Sequence, residues 1–491
     1  MTILRNLPLC FVLLIYSCSG TSERTEPRSE KDETTQVSVA DLEAIKERGT
    51  LRAMTTYSAT SYFLYRGVPM GYEYELLERF ADYLDVDLEI VVSGDIDSMF
   101  YHLNQGEIDL IAHGLTITQD RKTEVNFSDY LYLVNQVLVQ RKPENWRELR
   151  WTAIESHLVH DPIELIGDTI SIRKNTSYFE RLQNLSEEIG GDIYIDTLPG
   201  RLSTDEIIQM VVTGDLEYTI ADNNLAAINA SYYPILDIEV PISFSQRIAW
   251  AVNKKSENLL GAMNDWIADM KKETDYYVIY NKYFKNQRDF RRRVRSDFYS
   301  INNNRISEYD ELIQKYAFRL GWDWRLLASL IYQESRFEPK ASSWASASGL
   351  MQIMPATAKE LGVEDRTDPE QSIRGGTQYL AQMYDEFEDV PDTLERIKFA
   401  MASFNAGLGH VTDAQRLAAK RGLDPNVWDE NVAKMILALS YPKNYNDEVV
   451  MHGYVRGIEP FTYVDQIMER YGHYQQFINP SDALSLALTE E

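Results

Sequence analysis

The chain has 491 residues, 44% of them hydrophobic, and a formal net charge of −27. At ~150 residues per domain that is room for about three domains, with apolar content ordinary for globular cores. The acidic balance repels phosphate backbones and anionic lipid, which argues against nucleic acid as a partner and against a broad electrostatic grip on membranes.

The two cysteines, Cys10 and Cys18, both lie in the opening "MTILRNLPLCFVLLIYSCSG". One positive charge, Arg5, precedes an apolar stretch too short to span a bilayer comfortably, the layout of a secretory signal over residues 1–17. Its end, Ile15-Tyr16-Ser17-Cys18, resembles a bacterial lipobox. The resemblance implies cleavage before Cys18 and lipidation of its thiol; Cys10 would leave with the signal, so the mature chain could form no internal disulfide. An ordinary signal or an uncleaved anchor is the alternative. Residues 18–40 are then the lipidated end and a tether, because "SGTSERTEPRSEKDETTQVS" has too little apolar surface to offset ordering entropy. No other segment reads as transmembrane. The expectation is a lipid-anchored protein on the periplasmic side of the envelope, with Ser19 compatible with the outer membrane.

Residues 41–290 alternate strands and helices. "LRAMTTY" and "DLEIVV" read as strands around the helix "GYEYELLERFADYLDV", whose Leu76, Leu77, Phe80, Ala81 and Leu84 recur at helical spacing. "DSMFYHLNQGEIDLIAHG" adds a helix, a turn and a buried strand. This rhythm predicts a mostly parallel sheet. A second set ("DTISIRKN", "DEIIQMVVTGD", "LEYTIADN") is followed by a return through "IAWAVNKKS". Two α/β lobes with a chain that crosses and returns make a hinged clamp.

The stretches "GYEYELLERFADYL", "LNQGEIDLIAHGLTITQDRKTEVNFSDYLY" and "GDLEYTIADN" make residues 45–285 similar to the solute-binding proteins of amino-acid transporters. The resemblance implies that Arg121 holds a ligand carboxylate, that Asp222 holds an ammonium, and that Thr116 lines the same loop. Guanidinium pairs bidentately with carboxylate, so the types suit the task. Ordinary structural ion pairing of Arg121 and Asp222 is the other reading. The loop "TTYSATSYF" lacks the acidic residue often found in amino-acid binders, which leaves the ligand open.

Residues 291–305, with the basic cluster Arg291–Arg295 and an Asn run, read as a solvated linker. Beyond it, over 306–491, strands disappear. Helices are expected near 306–320, 323–335, 356–361, 371–386, 393–404, 410–420 and 428–439, an all-α domain with its own core.

One residue in that domain is out of place. In "WDWRLLASLIYQES", Glu334 follows Leu327, Leu330 and Ile331 by seven, four and three residues, so it continues the apolar stripe. It also nears the helix C-terminus, where the macrodipole disfavours negative charge. Both effects raise a carboxyl pKa, and a carboxyl kept protonated near neutrality is a general acid. A boundary Glu that snorkels or pairs with Arg336 is the alternative.

Glu334-Ser335, Ala341, Ser343 and "GLMQIMPATA", then "FNAG" and "GYVRGIEPFTYV", make residues 306–475 similar to the soluble-type, lysozyme-like lytic transglycosylases. The resemblance implies that Glu334 is the sole catalytic acid and base and that Ser343 helps orient it. It places Gln352 and Met354 along a sugar groove and Asn405 on the substrate, with Glu459 and Tyr463 closing the back. A core aromatic is the alternative for Tyr463. By type, Gln352 can donate to and accept from an N-acetyl group, and Met354 offers an adaptable apolar wall. Phe404 stands where the family often has Tyr, so a phenol hydroxyl is missing.

The fold class is therefore α/β plus all-α: a bilobed periplasmic-binding-protein-like domain followed by a lysozyme-like domain. That order behind a lipobox resembles the membrane-bound lytic murein transglycosylase F family. It implies non-hydrolytic cleavage of peptidoglycan glycan strands to 1,6-anhydromuramoyl ends; the Arg121/Asp222 pair fused to a cell-wall enzyme adds the expectation of a muropeptide or amino-acid-like ligand in the first domain. A lysozyme-type hydrolase and a non-catalytic cell-wall sensor are the rivals. Neither metal nor organic cofactor is indicated: seven His are scattered, and no Cys cluster or phosphate loop occurs.

Overall fold

The computed structural model describes residues 39–301 and 303–479. The signal, Cys18 and nearly all of the tether lie outside them.

The first lobe is a six-stranded sheet in the order β4-β1-β5-β13-β6, with β7 also on β13. Its strands are β1 (Thr50–Thr55), β4 (Asp87–Val92), β5 (Leu110–Thr116), β6 (Val125–Phe127), β7 (Tyr132–Val134) and β13 (Gln246–Asn253). A two-stranded hairpin, β2 (Phe63–Tyr65) and β3 (Val68–Met70), projects from this lobe. The second lobe holds β8 (Gln136–Arg141), β9 (Thr169–Arg173), β10 (Tyr194–Leu198), β11 (Tyr218–Asp222) and β12 (Leu236–Asp237). Its sheets run β10-β9 and β11-β8-β12.

The expectation of a mostly parallel sheet holds only for part of this. β1 pairs parallel with β4 and β5, and β9 pairs parallel with β10. β13 is antiparallel to β5, β6 and β7, and β8 is antiparallel to β11 and β12. The reason is the crossing itself. β13 re-enters the first lobe from the second and fills its slot in reverse, without a crossover helix to turn it round.

Helical periodicity in the first lobe is realised at Tyr72–Leu84, which buries Leu76, Leu77, Phe80, Ala81 and Leu84. In the second lobe Thr204–Thr213 starts on a reciprocal cap between Ser203 and Glu206.

The basic cluster is not a solvated linker throughout. Gln287–Val294 is helical. Arg291, Arg292 and Arg295 face solvent, but Arg293 is only 3% exposed. Its guanidinium lies over the rings of Phe63 and Tyr283, both at 5.6 Å, an aromatic seat that composition does not reveal.

The C-terminal domain is helical: Asp310–Leu320, Trp324–Ser335, Pro355–Glu360, Pro369–Asp385, Thr393–Ala406, Leu408–Lys420 and Ala433–Ala438. A long helix at Ile458–Phe477, absent from the expected set, packs along Trp324–Ser335. Ser329 Oγ donates to Ile467 O at 2.8 Å, and Arg325 Nη1 donates to Ile478 O at 2.7 Å.

The same long helix closes the seam between the domains. Tyr62 Oη bonds His473 Nδ1, Tyr474 Oη donates to Gly67 O at 2.9 Å, and Gln476 Nε2 donates to Ile90 O at 2.7 Å. Phe477 meets the rings of Tyr57 at 4.9 Å and Tyr62 at 4.5 Å. Gly67, at the hairpin tip with φ 75°, has no room for a side chain, because a Cβ would come within 2.7 Å of Tyr474 Oη. Leu64 of the hairpin is buried in the core of the C-terminal domain.

Candidate active site

Glu334 sits in the last turn of Trp324–Ser335, whose chain leaves through Arg336 and Phe337 in the left-handed region (φ 53° and 62°). Leu327, Leu330 and Ile331 on the same stripe are fully buried, and Glu334 is half-buried at their end. Tyr463, 5% exposed, reaches it from the long C-terminal helix, its hydroxyl donating to Glu334 Oε1. Burial pushes the Glu334 carboxyl up to about 7, against the Tyr463 bond, which pulls it down. Among the described residues Glu334 makes no ion pair with Arg336. Tyr463 is a core aromatic with a polar end: its ring fills the core while its hydroxyl meets Glu334.

The loop after Glu334 is held by side-chain donors on main-chain carbonyls. Ser335 Oγ donates to Leu350 O at 2.8 Å, tying the loop to the residue after the acid. Gln352 occupies the left-handed region (φ 45°), and its Nε2 donates to Ala341 O at 3.0 Å and Gly349 O at 2.9 Å. Both amide hydrogens are thus spent on the loop, leaving Gln352 an acceptor rather than the two-way partner expected. Gly349 has φ 90°, and a Cβ there would fall 1.8 Å from Arg366 O. The glycine is required by the approach of this loop to Arg366.

The remaining expected residues divide. Met354 is 43% exposed where Pro355–Glu360 begins, and Asn405 is exposed in the last turn of Thr393–Ala406. Ser343 does not hold Glu334 in this structure: its Oγ accepts from Ala347 N at 3.1 Å, within its own turn. Glu459 does not close the back of the site either. It points to solvent from the first turn of the long helix and pairs with Arg456 at 2.7 Å. Phe404 packs against Tyr379, ring centroids 5.5 Å apart.

In the first domain, Thr116, Arg121 and Asp222 all line one cavity of about 330 Å³ between the lobes. Arg121 and Asp222 form no ion pair with each other among the described residues. Arg121 donates to Thr116 O and, across the cleft, to Asn175 O, both at 3.0 Å. Asp222 accepts from Tyr178 Oη at 3.4 Å, and burial pushes its carboxyl up to about 7. Thr116 Oγ1 accepts from Ser177 Oγ at 3.1 Å, a second bridge between lobes.

Sequence reasoning missed three lining residues. Arg173, at the end of β9, donates to Gly94 O of the other lobe at 2.5 Å. His113 is held neutral, pushed down to about 3 by burial and by the charges of Arg173 and Arg121. Glu73 accepts from Trp250 Nε1 at 2.6 Å and is raised to about 7 by burial. An Arg ending a strand before "NTS" was the one available signal; the other two resemble ordinary helix and strand residues. The cleft thus combines guanidinium groups with two carboxyls, Asp222 and Glu73, that burial pushes up to about 7.

Comparison with known proteins agrees with this two-part layout. The family described as bacterial extracellular solute-binding proteins, family 3, matches residues 44–286, and the transglycosylase SLT domain matches residues 311–426. A membrane-bound lytic murein transglycosylase F from Desulfosudis oleivorans is 36% identical over 89% of this chain and 93% of its own length. Proteins of the same name from Photobacterium profundum and Shewanella pealeana are 33% and 31% identical, covering 91% and 95% of this chain and 83% and 90% of theirs. With both modules matched in order and the likeness running through nearly the whole length of such relatives, the chain belongs to the membrane-bound lytic murein transglycosylase F family.

Proposed function

We propose that Glu334 is the acid and base of a peptidoglycan lytic transglycosylase, cleaving the MurNAc–GlcNAc β-1,4 bond without water. The observation that carries this is a half-buried carboxyl raised to about 7, on the end of an apolar stripe, with one hydrogen-bond donor, Tyr463. The protonated acid gives its proton to the glycosidic oxygen as the C1–O bond breaks and its electron pair moves to that oxygen. C1 becomes oxocarbenium-like. The Glu334 carboxylate, now accepting from Tyr463, takes the proton of the sugar's own C6 hydroxyl as that oxygen bonds C1. The product is a 1,6-anhydromuramoyl end, and Glu334 is protonated again. Among the described residues no second carboxylate perturbs Glu334, which favours this route over paired-carboxylate hydrolysis.

Gln352 offers its carbonyl oxygen, Met354 an apolar wall and Asn405 an exposed amide to the strand; Ser343 shapes the loop. The cleft of Thr116, Arg121 and Asp222 takes a zwitterionic ligand, a muropeptide or amino-acid-like molecule, with carboxylate on Arg121 and ammonium on Asp222. Its wall includes Tyr57, whose ring stacks on Phe477 of the long helix that carries Tyr463, and through this contact ligand binding would bias the acid. Lipidation of Cys18 holds the protein on the periplasmic face of the outer membrane. Replacing Cys18 by Ala and fractionating cells tests the anchor.

Digestion of peptidoglycan with mass analysis tests the chemistry. An anhydro end is lighter than a hydrolytic end by one water. Hydrolytic masses would refute the route, and full activity in Glu334→Gln would refute the role of the acid.

A further inference from the structure

The segment 341–348, "ASSWASAS", is Ala and Ser apart from one residue, Trp344, which is 100% exposed. Single exposed hydrophobics are common, but an indole is usually well buried because it has the most apolar surface to hide. Small neighbours give Trp344 nothing to pack against.

The mounting is nonetheless rigid. Ser346 N donates to Ser343 O at 3.0 Å, closing a turn with Trp344 at its second position, and Ser346 takes φ 68°. Ser343 N donates to Ala347 O at 2.9 Å, and Ala347 N returns a bond to Ser343 Oγ at 3.1 Å. Ser342 pairs with Ser348, and Ser348 pairs with Ile353. Arg366 Nη1 clamps both ends of the unit, donating to Ser346 O at 2.6 Å and Ile353 O at 2.9 Å. Ile353 lies between Gln352 and Met354, and Ser335, the residue after Glu334, donates to Leu350 O at the base of the same unit. A bare indole is therefore indexed through hydrogen bonds to the catalytic acid.

We propose that Trp344 is a substrate-positioning platform, its indole face stacking on a pyranose ring of the glycan strand beyond the sugars that flank the cleaved bond. The inference rests on the function proposed for Glu334. A pyranose presents a C–H face and a hydroxyl rim, which suits an aromatic body beside serine hydroxyls. Continuity with Gln352 and Met354 selects the strand as the occupant. A lipid surface is disfavoured by the acidic balance of the chain, −27 overall.

The test uses full-length protein with Trp344→Ala and Trp344→Phe, on long glycan strands and on a short oligosaccharide that spans only the cleaved bond. Stacking is expected to show as about a tenfold rise in KM on long strands for Trp344→Ala, with kcat unchanged and partial rescue by Phe. The short substrate is expected to show no change. Equal KM on long strands would overturn the proposal. So would an equal loss on both substrates, which marks a folding effect, or a loss only of binding to anionic lipid vesicles. Glu334→Gln is run in parallel: activity retained there refutes the acid and not the platform, because strand binding by the Glu334→Gln protein still reports on Trp344.

Discussion

Tyr463 Oη donates to Glu334 Oε1 across 129 positions of sequence. The bond favours the carboxylate, while burial favours the neutral acid, and burial wins. Removing the donor should move the balance further. Tyr463→Phe is expected to shift the alkaline limb of the pH–rate profile upward and to lower kcat about tenfold, the size of a lost bond to a charged group. An unshifted limb would place Tyr463 in packing alone.

Wild-type activity should fall as pH rises through about 7, where Glu334 loses its proton. Stability follows the same proton. The carboxyl titrates at 4.5 when unfolded and about 7 when folded, so its burial is harmless below 4.5 and destabilises as pH climbs to about 7. Glu334→Gln removes that penalty. It is expected to stabilise the protein by on the order of 2 kcal/mol at pH 8 and to be neutral at pH 4. Thermal denaturation at both pH values checks this; an equal shift at both would contradict the raised acid.

Gln352→Glu replaces the amide donor of two loop bonds with a carboxylate facing the carbonyls of Ala341 and Gly349. A loss of about 1–3 kcal/mol is expected, with activity falling alongside. Gly349→Ala should be worse, since its Cβ meets main chain rather than a movable side chain. Denaturant midpoints compare the two.

Arg121 bridges the lobes as well as facing the cleft. Arg121→Ala is expected to abolish the thermal shift caused by muropeptides and the change in cleavage rate they produce. Measuring cleavage with and without muropeptides, in wild type and variant, decides it. Four equal rates would remove the coupling.

Much of this was legible in sequence because it is periodic. The stripe Leu327-Leu330-Ile331-Glu334 placed an acid at the edge of a core, and Leu76 to Leu84 marked a buried helix face. What escaped was non-local. The helix Ile458–Phe477 spreads its apolar residues over several partners, the Glu334 helix, the helix Thr393–Ala406 and the first domain among them, so no single stripe announces it. Glu459 sits in the same motif as Tyr463 yet points to water, because four positions on a helix do not fix how a long side chain turns when Arg456 is within reach. Arg293 looked like part of a solvated cluster, and its burial depends on Phe63 and Tyr283, one of them more than two hundred residues earlier.

Leu64 lies in the chain segment of one domain and the core of the other, and Phe477 packs on both cores. The boundary read along the chain is thus not the boundary of folding. Cutting within 291–305 would leave the glycan-cleaving half without its hairpin plug and the clamp with an uncovered row of tyrosines. Each piece would expose apolar surface that the other now covers, so domain shuffling in such a protein is expected to keep its stability only when the hairpin and the last helix travel together.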